Sequence, residues 1–165
     1  MKVIASNTMT SVPASKPGVQ ERILLHLRDY VDHADKVEVP FALSQMGIAN
    51  AVSIARSNVP RAISGLRDQG YLIERQAHVT GVSRKRKAYF LTEDGAKLAD
   101  DIWSKVGMQM VRVIGHDGRS STMELQKALE STELPLRHVD VIRYLDESGT
   151  IDFSSLSSDL IERDL

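Results

Sequence analysis

The sequence has no cysteine, only 5% aromatic residues and no long apolar run. Without cysteine the chain can form no disulfide and offers neither a thiolate nucleophile nor a Cys-based zinc or iron–sulfur site, which is compatible with a reducing compartment. No run reaches the ~18 apolar residues of a membrane helix, and Lys2 is not followed by the apolar core of an export signal. We therefore expect a cytoplasmic protein.

The charges are unevenly distributed along the chain. The 165 residues carry a net charge of -1, and this length fits one large or two small domains. Between Ser44 and Thr92, eight Lys or Arg residues face only Asp68 and Glu74, a balance of +6 that leaves -7 for the rest. A concentrated cationic segment is typical of a module that binds phosphate backbones, and it also suits an anionic protein partner.

The first quarter of the chain combines an arm, a helix and a short strand. Residues 1–18 are rich in Ser, Thr and Pro and predict a flexible arm. Apolar residues at helical spacing predict an amphipathic helix from Val19 to about His33. The segment from Val37 to Leu43 is predicted to be a strand at a sheet edge, because Pro40 cannot donate to a ladder.

A helix pair and a hairpin follow. Ser44 is a good cap for a helix from about Gln45 to Val52. Apolar residues at i, i+3, i+4 and i+7 predict a next helix that stops at Gly70, and Pro60 in its first turn makes Ser57 the expected cap and Asn58 the first helical residue. Strands over 71–79 and 87–91 with turn residues at 80–83 predict a hairpin, and Thr92 is expected to cap a fourth helix.

The composition changes near residue 107. A strand is expected near residues 109–114, followed by a helix from about Ser121 to Leu129 and a helix from Pro135 to Glu147. A short helix is expected after Phe153. This segment, residues 107–165, is predicted to be a small, mostly helical module.

Three short stretches carry a resemblance to a known family. These are residues 44–52 (SQMGIANAV), residues 54–63 (IARSNVPRAI) with Leu66 and 70–72 (GYL), and residues 88–95 (AYFLTEDG). Together they resemble the winged helix-turn-helix of MarR-type and related bacterial and archaeal regulators, over residues 19–106. The resemblance implies a mainly α fold with a small β-hairpin wing (α+β), a winged helix-turn-helix followed by the helical C-terminal module.

The residues of the expected DNA interface lie on the third helix, beside it and on the hairpin. If the apolar residues of the third helix face the core, its short polar side chains and Arg61 face outward, where Arg can contact guanine and Asn adenine. The resemblance implies that this recognition helix (about 57–69) enters the major groove, while the basic wing (about 80–88) follows the phosphate backbone or the minor groove. The expected DNA-binding residues are Gln45, Arg56, Ser57, Asn58, Arg61, Ser64, Arg84, Lys85, Arg86 and Lys87.

An enzyme is not expected. His116 and Asp117 lie in a Gly-flanked turn, where such residues usually serve the turn itself, and no pair of histidines has metal-ligand spacing. The sequence has no Gly-rich phosphate loop. It therefore implies no catalytic residue, no cofactor and no metal.

The sequence favours a DNA-binding transcriptional regulator whose partner is double-stranded DNA. A homodimer is expected through the first and fourth helices and the C-terminal module, because Ile102, Trp103 and Val106 form an apolar stripe that exceeds what one small winged core covers. The alternative for this stripe is packing on residues 109–165 of the same chain. The C-terminal module is also a candidate site for a protein partner. The alternative is a winged-helix protein-interaction adaptor, or the N-terminal module of a larger archaeal signalling ATPase, since winged helices serve both uses.

Overall fold

The computed structural model describes residues 16–156. Residues 1–15 of the arm predicted over residues 1–18 lie outside the described residues. The chain divides into two compact units, of which the first is Gly18–Trp103. The second begins at Ser104 and also includes Lys16 and Pro17.

The first unit combines helices with a three-stranded sheet. Its elements are α1 (Val19–Arg28), β1 (Glu38–Val39), α2 (Gln45–Val52), α3 (Val59–Asp68), β2 (Leu72–Val79), β3 (Lys85–Leu91) and α4 (Glu93–Val106), whose last turn belongs to the second unit. The strand order is β1-β2-β3, with β1 parallel to β2 and β2 antiparallel to β3. A helix pair followed by a hairpin on a three-helix core defines the architecture. The unit is a winged helix-turn-helix.

Hydrogen bonds with side chains define both ends of α2. The Ser44 hydroxyl accepts a hydrogen bond from the Gly47 backbone N–H at 3.1 Å, as the sequence predicted. At the other end the Val52 carbonyl accepts from the Arg22 guanidinium at 2.9 Å, and Ser53 turns the chain with a φ of 60°. Partial burial lowers the pKa of the Arg22 guanidinium.

The start of α3 differs by one residue from the prediction. A 3₁₀ turn occupies Arg56–Asn58, so α3 begins at Val59 and Asn58, not Ser57, is the cap residue. Pro60 lies in the first turn, where backbone N–H groups have no intrahelical acceptor. The absence of its N–H therefore costs the helix no hydrogen bond. Asn58 itself makes no side-chain capping hydrogen bond.

Two predicted elements of the first unit are shorter than expected. The first helix ends at Arg28 instead of His33, because Tyr30 leaves the helical region with a φ of -121° before a 3₁₀ turn. The predicted strand over residues 37–43 reduces to Glu38–Val39. Pro40 interrupts it, because proline lacks the N–H that a ladder requires, and Phe41–Leu43 form a 3₁₀ turn.

The core of the first unit lies between the helices and the sheet. Ile23 and Leu27 of α1, Ile48 of α2 and Ile63 and Leu66 of α3 are all buried. Two glycines allow close backbone approach. A Cβ at position 47 would overlap the Phe41 carbonyl, and one at position 95 would overlap the Tyr71 carbonyl.

The second unit contains more strand than the sequence predicted. Its elements are β4 (Met110–Ile114), β5 (Ser120–Glu124), α5 (Leu125–Ser131), α6 (His138–Arg143) and β6 (Thr150–Asp152). They form a sheet in the order β5-β4-β6, with β4 parallel to β6.

The helix expected from Ser121 begins only at Leu125, because residues 120–124 pair with β4 as a hairpin. Gly118, with a φ of 84°, makes the turn of this hairpin. The helix expected over residues 135–147 is likewise limited to His138–Arg143. Where a short helix is expected after Phe153, the described residues form the 3₁₀ turn Phe153–Ser155. The rest of that expected helix, beyond residue 156, lies outside the described residues. Within the described range, no helix is both long and apolar enough to span a membrane.

Candidate nucleic-acid interface

A groove of about 580 Å³ lies between the helix pair and the hairpin of the first unit. Its walls come from the start of α2, the 3₁₀ turn before α3 and strand β3. The lining residues are Phe41, Ser44, Gln45, Met46, Arg56, Gln76, Val82, Lys85, Arg86 and Lys87. The groove therefore brings together five of the ten residues predicted to bind DNA, from segments up to 42 positions apart (45 to 87).

The hairpin register sets the direction of the wing cations. Lys85 is opposite His78 and Lys87 is opposite Gln76, whereas Arg86 is opposite the buried Ala77. Since side chains alternate along a strand, Lys85 and Lys87 share one face of the sheet. All of residues 84–87 are exposed.

Most of the predicted cations have no acidic partner. Across residues 16–156, no ion pair involves Arg56, Arg61, Arg84, Lys85 or Arg86. Lys87 differs, because its Nζ atom is 3.8 Å from Oε2 of Glu74. Unpaired exposed cations leave a positive surface that is available to an anionic partner.

The third helix presents its polar side chains away from the core. Ser57, Asn58 and Arg61 are exposed and Ser64 is half-buried, while the apolar positions Val59, Ala62, Ile63 and Leu66 are buried. Residues 57, 58, 61 and 64 do not line the groove. Asn58 and Arg61 are three positions apart and so lie on one side of the start of α3.

Tyr89, Glu74 and Arg67, which the sequence did not single out for the interface, connect these elements. Gln45 donates its side-chain amide to the Tyr89 hydroxyl at 3.0 Å. Burial raises the pKa of the Tyr89 phenol, so the group is neutral. Glu74 lies opposite Tyr89 in the sheet and is 3.1 Å from the Arg67 guanidinium. Sequence reasoning could have found Glu74, because it is one of only two acidic residues between Ser44 and Thr92.

The residues considered for catalysis serve local structure. Asp117 accepts a hydrogen bond from the Arg119 backbone N–H at 3.0 Å, and the His116 ring stacks on Phe153 with centroids 6.0 Å apart. Among residues 16–156 there is no group of three or more His, Cys, Asp or Glu side chains that could hold a metal ion.

Two of the three residues expected at a dimer interface are already covered. Ile102 and Val106 are only 8% and 7% exposed in the single chain, and Trp103 is half-buried. Ile102 and Val106 are therefore covered without a second copy of the chain, so their apolar character alone does not require a dimer interface.

No protein-family model matches the chain, and no curated protein matches it either. Among solved structures, a variant of Lactococcus lactis ZitR is similar at 22% identity over 52% of this chain and 49% of that chain, with a TM-score of 0.40. A variant of S. aureus MepR bound to an oligodeoxyribonucleotide is similar at 23% identity, 53% and 56% coverage and a TM-score of 0.40.

A putative DNA-binding protein from Ralstonia eutropha is similar at 22% identity, over 54% of this chain and 99% of that chain, with a TM-score of 0.39. The chain spans about half the length of the ZitR structures that it matches. The assignment of a winged helix-turn-helix rests on the topology of the chain itself.

Proposed function

We propose that the chain is a DNA-binding transcriptional regulator. The observation that carries the proposal is the groove of the first unit, where Arg56 of the helix-turn-helix and Lys85 and Arg86 of the wing meet without acidic partners. Exposed cations from separate elements around one concave surface suit a regularly charged backbone. The oligonucleotide-bound MepR variant is consistent with this use of the fold.

In this proposal α3 enters the major groove and the wing contacts the backbone or the minor groove. Asn58 and Arg61 are exposed at the start of α3. Arg contacts guanine and Asn contacts adenine with two hydrogen bonds each, so this pair is suited to base recognition. Arg56 and the wing would contribute phosphate contacts, which position the protein without sequence preference.

The test is the selection of bound fragments from random duplex DNA by the full chain, at an ionic strength of about 0.15 M. We expect enrichment of a defined sequence. Salt-sensitive binding without enrichment would leave only non-specific attachment. Absence of binding at low salt would overturn the proposal.

The second candidate function is an adaptor that binds an acidic protein segment. It is favoured by Phe41 and Met46, apolar side chains of the groove that are 39% and 43% exposed. Apolar exposure next to cations fits an acidic, partly apolar peptide. Capture of such a protein by a chain without DNA affinity would support the adaptor.

The proposed regulator acts as a homodimer on a two-fold symmetric site. With Ile102 and Val106 buried, this part of the proposal rests on the geometry of operators, in which paired recognition helices enter successive major grooves. Sedimentation of the full chain at micromolar concentration, free and on selected DNA, tests it. A monomer in both states would exclude the dimer. Nothing in the described part of residues 107–165 identifies a protein partner.

A further inference from the structure

Glu74 is placed where it can control the charge of the interface. Its side chain is 26% exposed, with Oε1 3.1 Å from Nη1 of Arg67 and Oε2 3.8 Å from Nζ of Lys87. One carboxylate thus contacts a cation of the recognition helix and a cation of the wing.

This contact separates Lys87 from the other wing cations. Lys85 and Lys87 share a face of the sheet, but Lys87 is opposite Gln76, two pairs from the Glu74–Tyr89 pair, whereas Lys85 is four pairs away, opposite His78. Residues 84–86 have no ion pair among the described residues. Four cations that are adjacent in sequence are therefore not equivalent in the structure.

We propose that Glu74 is a specificity-determining residue, which withholds Lys87 and Arg67 from DNA phosphates and so limits sequence-independent affinity. The proposal rests on the proposed DNA-binding function. A phosphate that approaches Lys87 must compete with the carboxylate and is also repelled by its charge. Phosphate contacts strengthen binding to every sequence alike, so suppressing them raises the ratio of specific to non-specific affinity.

Glutamine is the informative replacement at position 74. It keeps the shape of the side chain and its capacity to hydrogen bond beside Tyr89, but it removes the charge. Glu93→Gln is the matched control, because Glu93 pairs with Lys97 on the exposed side of α4, with Oε1 and Nζ 3.6 Å apart. Both variants change the net charge equally, and only Glu74→Gln frees Lys87, which lines the groove.

The experiment measures the salt dependence of binding to random duplex DNA for the full chain and its variants. Because log K falls as log salt rises, the slope means the magnitude of this fall. Arg86→Ala should lower this slope by about 0.9, and Lys87→Ala by less than half of that. Glu74→Gln should raise the slope by about 0.9 to 1.8, for one or two released cations, while Glu93→Gln leaves it unchanged. In the Glu74→Gln background, Lys87→Ala should lower the slope by about 0.9, as Arg86→Ala does in the wild type.

If the wild type binds DNA through the wing but Glu74→Gln behaves like Glu93→Gln, the role of Glu74 is excluded and the proposed DNA-binding function is retained. The inference also fails if Lys87→Ala lowers the wild-type slope as much as Arg86→Ala does. This last comparison decides the question even where Glu74→Gln does not fold. A wild type that does not bind DNA overturns the proposed function, and the inference with it.

Discussion

The two units use charged side chains for different purposes. In the first unit, Arg56, Arg61 and residues 84–86 have no ion pair within the described chain. In the second unit, acidic side chains accept hydrogen bonds from nearby backbone N–H groups, as Asp140 does at the start of α6 and Asp146 in the turn before β6. Charge that local structure does not use is available to a partner, and this difference supports the proposal that the interface lies in the first unit.

Both units nevertheless build a helix pair between parallel strands. In the first unit β1 and β2 flank α2 and α3, and in the second β4 and β6 lie on either side of α5 and α6 in the chain. Similar secondary structure thus supports a cationic groove in one unit and acidic turns in the other. Fold alone does not fix the function of either.

The largest expected effect comes from removing the wing cations. Replacing residues 84–87 with alanine should weaken binding to every DNA sequence alike, because phosphate contacts carry no sequence preference. The salt slope should fall by about 2.7 units if three of the four contact phosphates, or about 3.6 units if all four do. Titration of labelled duplexes over a range of salt concentrations measures it. An unchanged slope in a folded variant would remove the wing from the interface.

The next effect concerns sequence recognition by the start of α3. Asn58→Ala or Arg61→Ala should cost about 1–3 kcal/mol on the selected site and little on random DNA. Asp68→Ala, at the far end of the same helix, is the control and should change neither affinity much. Competition binding with both DNAs provides the comparison. Equal losses on the two DNAs would make Asn58 and Arg61 backbone contacts.

How far the sequence predicts the structure depends on the range of the interaction. Ser44, Pro60 and Thr92 are local signals, and the helices they were expected to start begin at Gln45, Val59 and Glu93; the Thr92 hydroxyl accepts from the Gly95 N–H at 3.0 Å. Strand β5 was missed because Ser120–Glu124 becomes a strand only by pairing with β4.

The candidate site shows the same limit. Exposure of the wing cations follows from composition, since a run of four basic residues cannot be buried unpaired. The contacts of Glu74 with Arg67 and Lys87 depend on the hairpin register and the position of α3. Such contacts between distant positions have no pattern in a single sequence.

A third test examines the packing of the first unit. Gly47→Ala should destabilise the unit by about 1–3 kcal/mol or more, because the added methyl would overlap the Phe41 carbonyl, which cannot move alone. Gly65→Ala is the control. Its Cβ meets only the flexible amide of Gln20, and the change gains up to about 1 kcal/mol of helix propensity. Hydrogen exchange of α2 and β4 amides reports the two units separately. Equal effects of both variants would contradict this packing.

The smallest effect tests the acidic turns of the second unit. Asp146 accepts hydrogen bonds from the Ser148 hydroxyl and from the Ser148 and Thr150 N–H groups. These bonds, the Ser148 hydroxyl above all, lower the pKa of the Asp146 carboxyl. Because the folded pKa lies below the unfolded value of about 3.9, the carboxylate stabilises the unit above that pH, and the contribution is lost as the pH falls through the folded pKa.

Asp146→Ala should therefore lower the free energy of unfolding of the second unit by roughly 1 kcal/mol at neutral pH, the net value of a hydrogen bond in an exposed turn. The difference from the wild type should shrink as the pH is lowered below about 4. Glu147→Gln, at the exposed neighbouring position, is the control and should leave stability unchanged at both pH values. Protection of the β4 and β6 amides from hydrogen exchange, at each pH, provides the measurement. If the difference in free energy of unfolding between Asp146→Ala and the wild type is the same at neutral and acidic pH, the turn does not depend on the ionised carboxylate. Acidic side chains would then not stabilise the second unit as the comparison of the two units requires.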